Sequence, residues 1–231
     1  MIVVRGIPQG SLEWLQLRLG IPTASRMDSI ITPATRKFSK AADAYAIELI
    51  TERITGQPID FDRTDWMGRG TGLEPEARKW YAFNQEVEVE EVTFCLSDDR
   101  SEGCSPDGLV GEDGLLETKC PSAKVHIGHL LGKTNPASVT QVQGQLRVTG
   151  RQWVDVVSYC PGLPPVLIRT PRDESFQTEL DACMVKFKVG LQRAIQKIQG
   201  LGVIGRIEGF GEDDSDTLLA DLYASVEEAK K

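Results

Sequence analysis

The segment GCSPDGLVGEDGLLETKC, residues 103–120, determines the predicted fold of this chain. It begins with a turn into a short apolar strand, EDG forms a second turn, and LLETKC is typical of the returning strand. Side chains on a strand alternate between two faces, so Glu117 and Lys119 share one face. The short turn returns Asp107 to a position beside Glu117. We therefore expect two carboxylates and one ammonium group to converge at this hairpin.

Two adjacent carboxylates predict a metal site, because each disfavours the ionised form of the other. Mg²⁺ relieves that repulsion and binds one or two carboxylates together with waters and phosphate oxygens. Such a metal can activate a water and offset the charge that develops on phosphorus. Lys119 would position or deprotonate the water, or stabilise the pentavalent state, and the sequence leaves these roles open. The alternative is a solvated turn and strand face, which fits poorly with acids placed in apolar strands.

The segments on either side of this hairpin alternate between helical and strand patterns. Apolar spacing, capping residues and glycine stops predict helices over 12–19, 22–31, 39–55, 73–84, 122–132, 136–149 and 174–199. Period-two alternation and short apolar runs predict strands over 86–96, 115–120, 152–160 and 164–170. This order predicts an α/β (α+β) fold, with a mixed central β-sheet flanked by helices.

The net charge of −8 is distributed unevenly along the chain. Residues 1–85 sum to +1, residues 86–117 to −10, residues 118–206 to +7 and residues 207–231 to −6. We expect one domain over 1–206, followed by an acidic, partly helical tail over 207–231. The acidic total does not exclude a nucleic-acid partner. Part of the −10 block is the candidate metal site, and the basic segment after it can supply phosphate contacts.

Several classes of protein are disfavoured by composition. The five cysteines contain no C-x-x-C pair, which argues against a disulfide framework, a zinc ribbon or an iron–sulfur cluster. No apolar run approaches the roughly 18 residues of a membrane span, and the N-terminus lacks a signal-peptide pattern. We therefore expect a cytoplasmic protein with no membrane partner. The 6% aromatic content and the Glu-x-Lys spacing argue against a carboxylate-pair glycosidase.

Together these motifs resemble the PD-(D/E)xK nuclease superfamily and, within it, the lambda exonuclease or YqaJ-like viral recombinase family. The resemblance implies a restriction-endonuclease-like core and spans roughly residues 11–160. The last third of the chain, including the acidic tail, shows no such match. The stretches that carry the resemblance, in family order, are Trp14–Gly20 with Thr23–Ser25, Gly72–Arg78, Cys104–Leu109, Leu116–Pro121 and Gln141–Gln143.

The resemblance also implies roles for the residues of the metal site. Asp107 and Glu117 would bind one or two Mg²⁺ ions, for which Mn²⁺ would substitute, and the backbone carbonyl of Thr118 would be a further ligand. Lys119 would be the catalytic lysine. Glu74 would complete the acidic cluster through metal-bound water. From the residues alone, Glu74 could equally be an ordinary acid in the first turn of a helix.

A second implied site binds the terminal 5′-phosphate of the substrate. A guanidinium binds phosphate through paired hydrogen bonds, and hydroxyl and amide groups add donors. Without the family match, Arg18 would be an exposed residue on an amphipathic helix. Gln145 lies on the same helix face as Gln141, whereas Gln143 points elsewhere. The residues implied in phosphate binding are Arg18, Ser25, Ser105 and Gln141.

The family implies a Mg²⁺-dependent, processive 5′-to-3′ exonuclease acting on linear double-stranded DNA with a 5′-phosphate. It would release mononucleotides and leave a 3′ single strand for a single-strand annealing recombinase protein, and it would form a homotrimeric ring in a bacterial or phage-infected host cell. The alternatives are an endonuclease of the same superfamily and a non-catalytic DNA-end-binding scaffold protein. An end-binding pocket argues against the first, and the intact Asp107, Glu117 and Lys119 argue against the second.

Two further pairs of residues, one of histidines and one before a glycine-rich segment, are most simply interpreted as structural. His126 and His129 are spaced as a metal-binding pair, but no third ligand supports that interpretation. Trp66 and Met67 precede a glycine-rich segment. This pair could wedge against a DNA end, although anchoring of a core or loop is the simpler interpretation.

Overall fold

The computed structural model describes residues 1–59 and 65–201, without the side chains of 65–71. The predicted tail over 207–231 lies outside these residues, as do the side chains of Trp66 and Met67. A short strand over Ile2–Val4 precedes the first helix and was not predicted; after it, helices, strands, helices, strands and a final helix follow in the predicted order. The helices are α1 (Leu12–Leu17), a 3₁₀ helix (Ala24–Ser29), α2 (Ala42–Thr55), α3 (Asp65–Gln85), α4 (Ala123–Leu130), α5 (Val139–Thr149) and α6 (Glu174–Gln199).

The strands form two sheets. The strands are β1 (Ile2–Val4), β2 (Val89–Glu90), β3 (Phe94–Leu96), β4 (Gly103–Cys104), β5 (Gly108–Val110), β6 (Gly114–Lys119), β7 (Trp153–Ser158) and β8 (Val166–Pro171). The first sheet has the order β1-β3-β4 and the second the order β2-β5-β6-β7-β8. In the second sheet β6 and β7 are parallel and the other neighbours antiparallel, so the predicted mixed central sheet is confirmed.

Helices cover both faces of the mixed sheet. On one face, Leu146 of α5 packs in a buried cluster with Leu115 of β6. On the other face, Tyr81 of α3 packs with Leu116. Because neighbouring residues of β6 point to opposite faces, the face beneath α5 also carries Glu117. Each fully buried leucine contributes about 1.5–3 kcal/mol to stability, so this packing fixes the strand that carries the acid.

A second apolar core joins α2, the 3₁₀ helix and α6. Tyr45 and Phe187 stack there with ring centroids 5.6 Å apart. The side chain of Asp173 accepts a hydrogen bond from the backbone N–H of Phe176 and caps α6, which matches the predicted helix over 174–199. None of the described helices is both long enough and apolar enough to span a membrane.

The predicted single strand over 86–96 is wrong. The structure contains two short strands there, and they belong to different sheets: β2 pairs with β5, whereas β3 pairs with β1 and β4. The change of sheet occurs around Thr93. Its hydroxyl donates to the carbonyl of Ile7 and accepts from the N–H of Ile7, so it draws the chain toward the N-terminal strand.

Helix α3 begins eight residues before the predicted start at residue 73. The glycines at 68, 70 and 72 are typical of a loop, but the helix runs through them and places Pro75 in its interior. The part of α3 that lies within the predicted range carries Tyr81 onto the sheet and Glu74 and Arg78 toward the hairpin.

The buried carboxylate of Asp155 on β7 links this strand to α3 and β8. This carboxylate is 1% exposed, accepts a 2.7 Å hydrogen bond from the Tyr81 hydroxyl and receives two hydrogen bonds from Arg169. We expect Asp155→Ala to destabilise the fold by about 2 kcal/mol, because it leaves the buried Tyr81 hydroxyl without a partner. Calorimetry should show a Tm lower by about 4–8 °C. Tyr81→Phe removes the same bond without stranding a hydroxyl, and an equal loss in both variants would contradict this explanation.

Candidate active site

The β5–β6 hairpin places Asp107 directly beside the end of β6. Gly108 lies opposite Leu116, and the backbone N–H of Asp107 donates to the carbonyl of Leu116 at 3.0 Å. Oδ2 of Asp107 accepts hydrogen bonds from the backbone N–H of Thr118 at 2.5 Å and from its hydroxyl at 2.7 Å. A side chain at position 108 would force Val89 to shift, because a Cβ there would lie 2.3 Å from the side chain of Val89.

Glu117 is held by three side chains on the face beneath α5. Its Oε1 accepts a hydrogen bond from the amide of Gln141 at 2.7 Å and lies 2.6 Å from Nζ of Lys119. Its Oε2 accepts from the amide of Gln145 at 2.6 Å. Lys119 Nζ also lies 3.4 Å from Oε1 of Gln141. The hairpin, β6 and α5 thus bring together the two carboxylates and the ammonium group that the sequence predicts at one point.

The electrostatics of this cluster favour a cation. Burial, together with the charges of Glu117 and Glu74, raises the pKa of Asp107 to about 7, although hydrogen bonds from Thr118 act in the opposite direction. Burial also raises the pKa of Glu74, with a further contribution from Glu117. Burial lowers the pKa of Lys119, but Glu117, Asp107 and Glu74 raise it to above its ordinary value. The lysine is therefore an ammonium ion, and a further positive charge would stabilise the ionised acids.

Helix α3 supports the hairpin from the other side. Nε of Arg78 donates to the backbone carbonyl of Asp107 at 3.0 Å, and its guanidinium pairs with Glu91 at 2.6 Å. Glu74 lies one helical turn before Arg78 and is half-buried. The structure thus places Glu74 within electrostatic reach of Glu117 and Lys119. Its role in the metal site stays a prediction.

The donors of the cluster fit Mg²⁺. Asp107 and Glu117 offer only oxygen atoms, which suit a hard cation rather than one that prefers nitrogen or sulfur. In the part of the chain that the structure describes, no group of three His, Cys, Asp or Glu side chains is arranged to hold a metal ion. A cation that keeps several waters needs only one or two carboxylates, so the pair is sufficient. The Thr118 carbonyl stays a predicted further ligand.

Other buried acids show how Asp107 differs. Glu102 is 3% exposed, but it pairs with Arg147 at 2.8 Å and with Lys188 at 2.9 Å. Asp155 pairs with Arg169 at 2.7 Å. Asp107 is also buried, yet no basic side chain among residues 1–59 and 72–201 forms an ion pair with it. Hydrogen bonds from Thr118 support its ionised form, but no ion pair among these residues neutralises it, so a bound cation would supply the countercharge.

Arg18 forms the centre of a second group. Its guanidinium lies over the ring of Trp14 at 4.1 Å and donates to the hydroxyls of Thr23 and Ser25, each at 3.3 Å. The indole N–H of Trp14 donates to the hydroxyl of Ser105 at 2.9 Å. Within the described chain, no carboxylate pairs with Arg18. The result is an oriented guanidinium with two hydroxyls beside it, an arrangement suited to an anion.

The four residues predicted to bind phosphate are not all in this group. Arg18 contacts Ser25 directly and is joined to Ser105 through Trp14, whereas Gln141 contacts Glu117 and Lys119. Ser105 is two residues from Asp107, so the group around Arg18 adjoins the cluster of acids. The role of each of the four in phosphate binding stays a prediction.

The two histidines do not form a metal site. Nδ1 of His126 and Nδ1 of His129 both lie within 2.8 Å of the Ser158 hydroxyl, and Nε2 of His126 lies 2.9 Å from the carbonyl of Pro164. These contacts fix α4 onto β7. The five cysteines are free thiols, as predicted.

Sequence reasoning did not assign three residues that contact this region. Trp14 and Arg78 both lie in stretches that carry the family resemblance, and this was the available signal for them. Gln145 shares a helix face with Gln141, but nothing in the sequence gave it a partner. The structure shows that partner to be Glu117.

The fold and the cluster define a class of protein. A mixed sheet, flanked by helices, carries Asp107 directly before one strand of a hairpin and Glu117 and Lys119 on the next strand, which is the arrangement of the PD-(D/E)xK superfamily. The chain belongs to the family of the YqaJ-like viral recombinase domain, whose model matches residues 13–152.

Solved structures agree with this assignment. The chain is 36% identical to the alkaline exonuclease LHK-Exo from Laribacter hongkongensis, with a TM-score of 0.67 over 83% of this chain and 100% of that chain. A second structure of LHK-Exo, in complex with dAMP, matches equally well. A phage related exonuclease from Haemophilus somnus 129PT has the same fold, with a TM-score of 0.63 at 12% identity over 77% of this chain and 96% of that chain. A comparison with curated proteins found no match.

Proposed function

We propose that this protein is a Mg²⁺-dependent exonuclease that degrades the 5′-ended strand of linear double-stranded DNA in the 5′-to-3′ direction. The observation that carries the proposal is the cluster of Asp107, Glu117 and Lys119, in which one buried acid has no paired base among the described residues. The family assignment and the alkaline exonuclease activity named for LHK-Exo support it. That relative also binds dAMP, a nucleoside monophosphate such as an exonuclease releases.

The residues of the cluster have different roles in the proposed reaction. Asp107 and Glu117 would hold one or two metal ions, with Thr118 as a further ligand and Glu74 acting through water. Bound Mg²⁺ or Mn²⁺ would supply an activated water and offset the charge on the phosphate. Lys119, kept protonated by the acids around it, orients the attacking water or stabilises the negative charge of the transition state.

The direction of degradation depends on recognition of the DNA end. Arg18, with the hydroxyls of Ser25 and Ser105, would bind the terminal 5′-phosphate, and Gln141 would bridge this pocket and the acids. A pocket that requires a terminal phosphate has no use within a continuous duplex. This separates the proposal from an endonuclease of the same fold.

The resemblance to the family also suggests an assembly and a partner. A homotrimeric ring with head-to-tail contacts would enclose the DNA and prevent its release between cycles, which makes degradation processive. The 3′ single strand left behind would pass to a single-strand annealing recombinase protein in the cytoplasm of a bacterial or phage-infected cell.

The test uses three substrates: 5′-phosphorylated linear duplex, 5′-hydroxyl linear duplex and closed circular DNA, each with Mg²⁺ and with EDTA. We expect mononucleotides from the 5′ end of linear DNA with Mg²⁺, no product in EDTA and an intact circle. A label at the 5′ or the 3′ end of one strand reports the direction. The Asp107→Asn variant is the control for a contaminating nuclease.

Each contrary result points to another function. Cleavage of the closed circle would indicate an endonuclease. Binding to DNA ends without hydrolysis would indicate a scaffold protein, and unchanged activity in Asp107→Asn would refute the assignment of the site.

A further inference from the structure

Gln145 makes a buried contact with Glu117 that the proposed function does not use. Its side chain is 1% exposed, and its amide nitrogen lies 2.6 Å from Oε2 of Glu117. Gln141, one turn earlier on α5, reaches the other oxygen at 2.7 Å. The spacing of four residues puts both amides on one helix face, so the carboxylate is held at both oxygens by a single rigid element.

The amide of Gln145 is placed at a cost to stability. Its Oε1 is buried and accepts no hydrogen bond within the described part of the chain. A buried acceptor without a donor is destabilising. The orientation of the amide accounts for this unpaired oxygen. The N–H group of Gln145 faces Glu117, which leaves Oε1 on the opposite side without a donor.

The two glutamines differ in their freedom to change partners. Gln141 is half-buried and lies beside Lys119, at the open side of the cluster, so an incoming phosphate can compete for it. Gln145 lies below it and is closed off from solvent. One amide can therefore exchange between Glu117 and a ligand, whereas the other stays on Glu117.

We propose that Gln145 is a positioning residue, which fixes the rotamer of Glu117 so that the carboxylate points at the metal and stays there when Gln141 turns to the DNA. This inference rests on the proposed function, since it assumes that Glu117 binds a divalent cation. Gln145 itself touches neither metal nor DNA. Loss of its amide should weaken metal binding without changing the recognition of the DNA end.

The experiment measures Mn²⁺ affinity by calorimetry on EDTA-treated, full-length protein. We expect Gln145→Met to bind Mn²⁺ about 10–100-fold more weakly than wild type, the range typical when a group that orients a metal ligand is removed. At saturating metal its preference for 5′-phosphorylated over 5′-hydroxyl duplex should equal that of wild type. Gln145→Ala is a second variant, so that the result does not depend on how methionine packs.

Gln143→Met is the matched control on the same helix. Gln143 is also 1% exposed, but its side chain bonds to the backbone of Pro171 and Asp173 and to Gln177. We expect this variant to leave Mn²⁺ affinity within about twofold of wild type even where it lowers the Tm, whereas the Gln145 variants should weaken Mn²⁺ binding.

The possible outcomes are separable. Unchanged Mn²⁺ affinity in both Gln145 variants would overturn the positioning role while leaving the nuclease proposal intact. Equal weakening in Gln143→Met would mean that any damage to α5 has this effect, and would also overturn it. A wild-type protein that binds Mn²⁺ but hydrolyses no DNA would refute the nuclease function and leave the comparison of affinities valid.

Discussion

We expect Lys119→Met to hydrolyse 5′-phosphorylated linear duplex about 10³-fold more slowly than wild type at saturating Mg²⁺. Methionine keeps most of the length of the side chain and removes the ammonium group. That group lies 2.6 Å from Glu117, and three acids raise the pKa of Lys119. That charge acts where negative charge develops in the transition state, so kcat should fall and KM should change little. Single-turnover release of mononucleotides measures the effect.

Folding must be separated from chemistry in this variant. Lys119 is one-third exposed, and its ion pair with Glu117 is replaceable by a bound cation, so the Tm with Mg²⁺ should stay near that of wild type. Lys197→Met makes the same substitution in the last turn of α6, at an exposed position. It should retain full activity. A Lys119→Met enzyme with more than a tenth of wild-type activity would contradict the catalytic role.

The hairpin was predictable from sequence because its information is local. Strand alternation and a short turn place Asp107 beside the strand of Glu117 wherever the hairpin lies in the fold. The structure agrees: Gly108 faces Leu116, and Thr118 donates twice to Asp107. The long helix α6 was predictable for the same reason, since its cap and apolar period lie within its own sequence.

The sequence-based predictions were wrong where contacts between distant parts of the chain determine the local structure. The alternation of apolar and polar residues over 86–96 indicates an extended chain. It contains no information that one half pairs with β5 and the other half with β1. The glycines before residue 73 lower helix propensity, yet the helix continues through them. Propensity is a weak prior that tertiary context overrides, and neither outcome could be read from a local window.

The roles of the acids in the block of residues 86–117 could be told apart only from the structure. In the sequence, Glu102, Asp107 and Glu117 belong to the same acidic block, and nothing in it says which of them is paired with a base. Their partners separate them: Glu102 is neutralised by Arg147 and Lys188, which come from α5 and α6. These partners are 45 and 86 residues away in the chain, so no spacing rule could have supplied them. A buried acid in an apolar strand is therefore evidence for a site only after its countercharge has been sought.

Arg18→Ala should remove most of the preference for a 5′-phosphorylated end. The guanidinium is oriented by Trp14 and donates to two hydroxyls, with no carboxylate against it among the described residues. A terminal phosphate would add a charge-assisted, two-point contact worth about 1.5–3 kcal/mol, or about 10–160-fold in kcat/KM. Initial rates on 5′-phosphate and 5′-hydroxyl duplexes should therefore differ in wild type and nearly coincide in the variant.

Arg26→Ala is the matched control, because Arg26 lies on the neighbouring 3₁₀ helix but is already paired with Glu48 at 2.8 Å. It should keep the wild-type ratio between the two substrates. Arg18→Lys keeps the charge but loses the planar fork, so an intermediate ratio is expected if paired hydrogen bonds matter. If Arg18→Ala slowed both substrates equally, the guanidinium would be supporting the fold around Trp14. The phosphate would then have to be bound elsewhere.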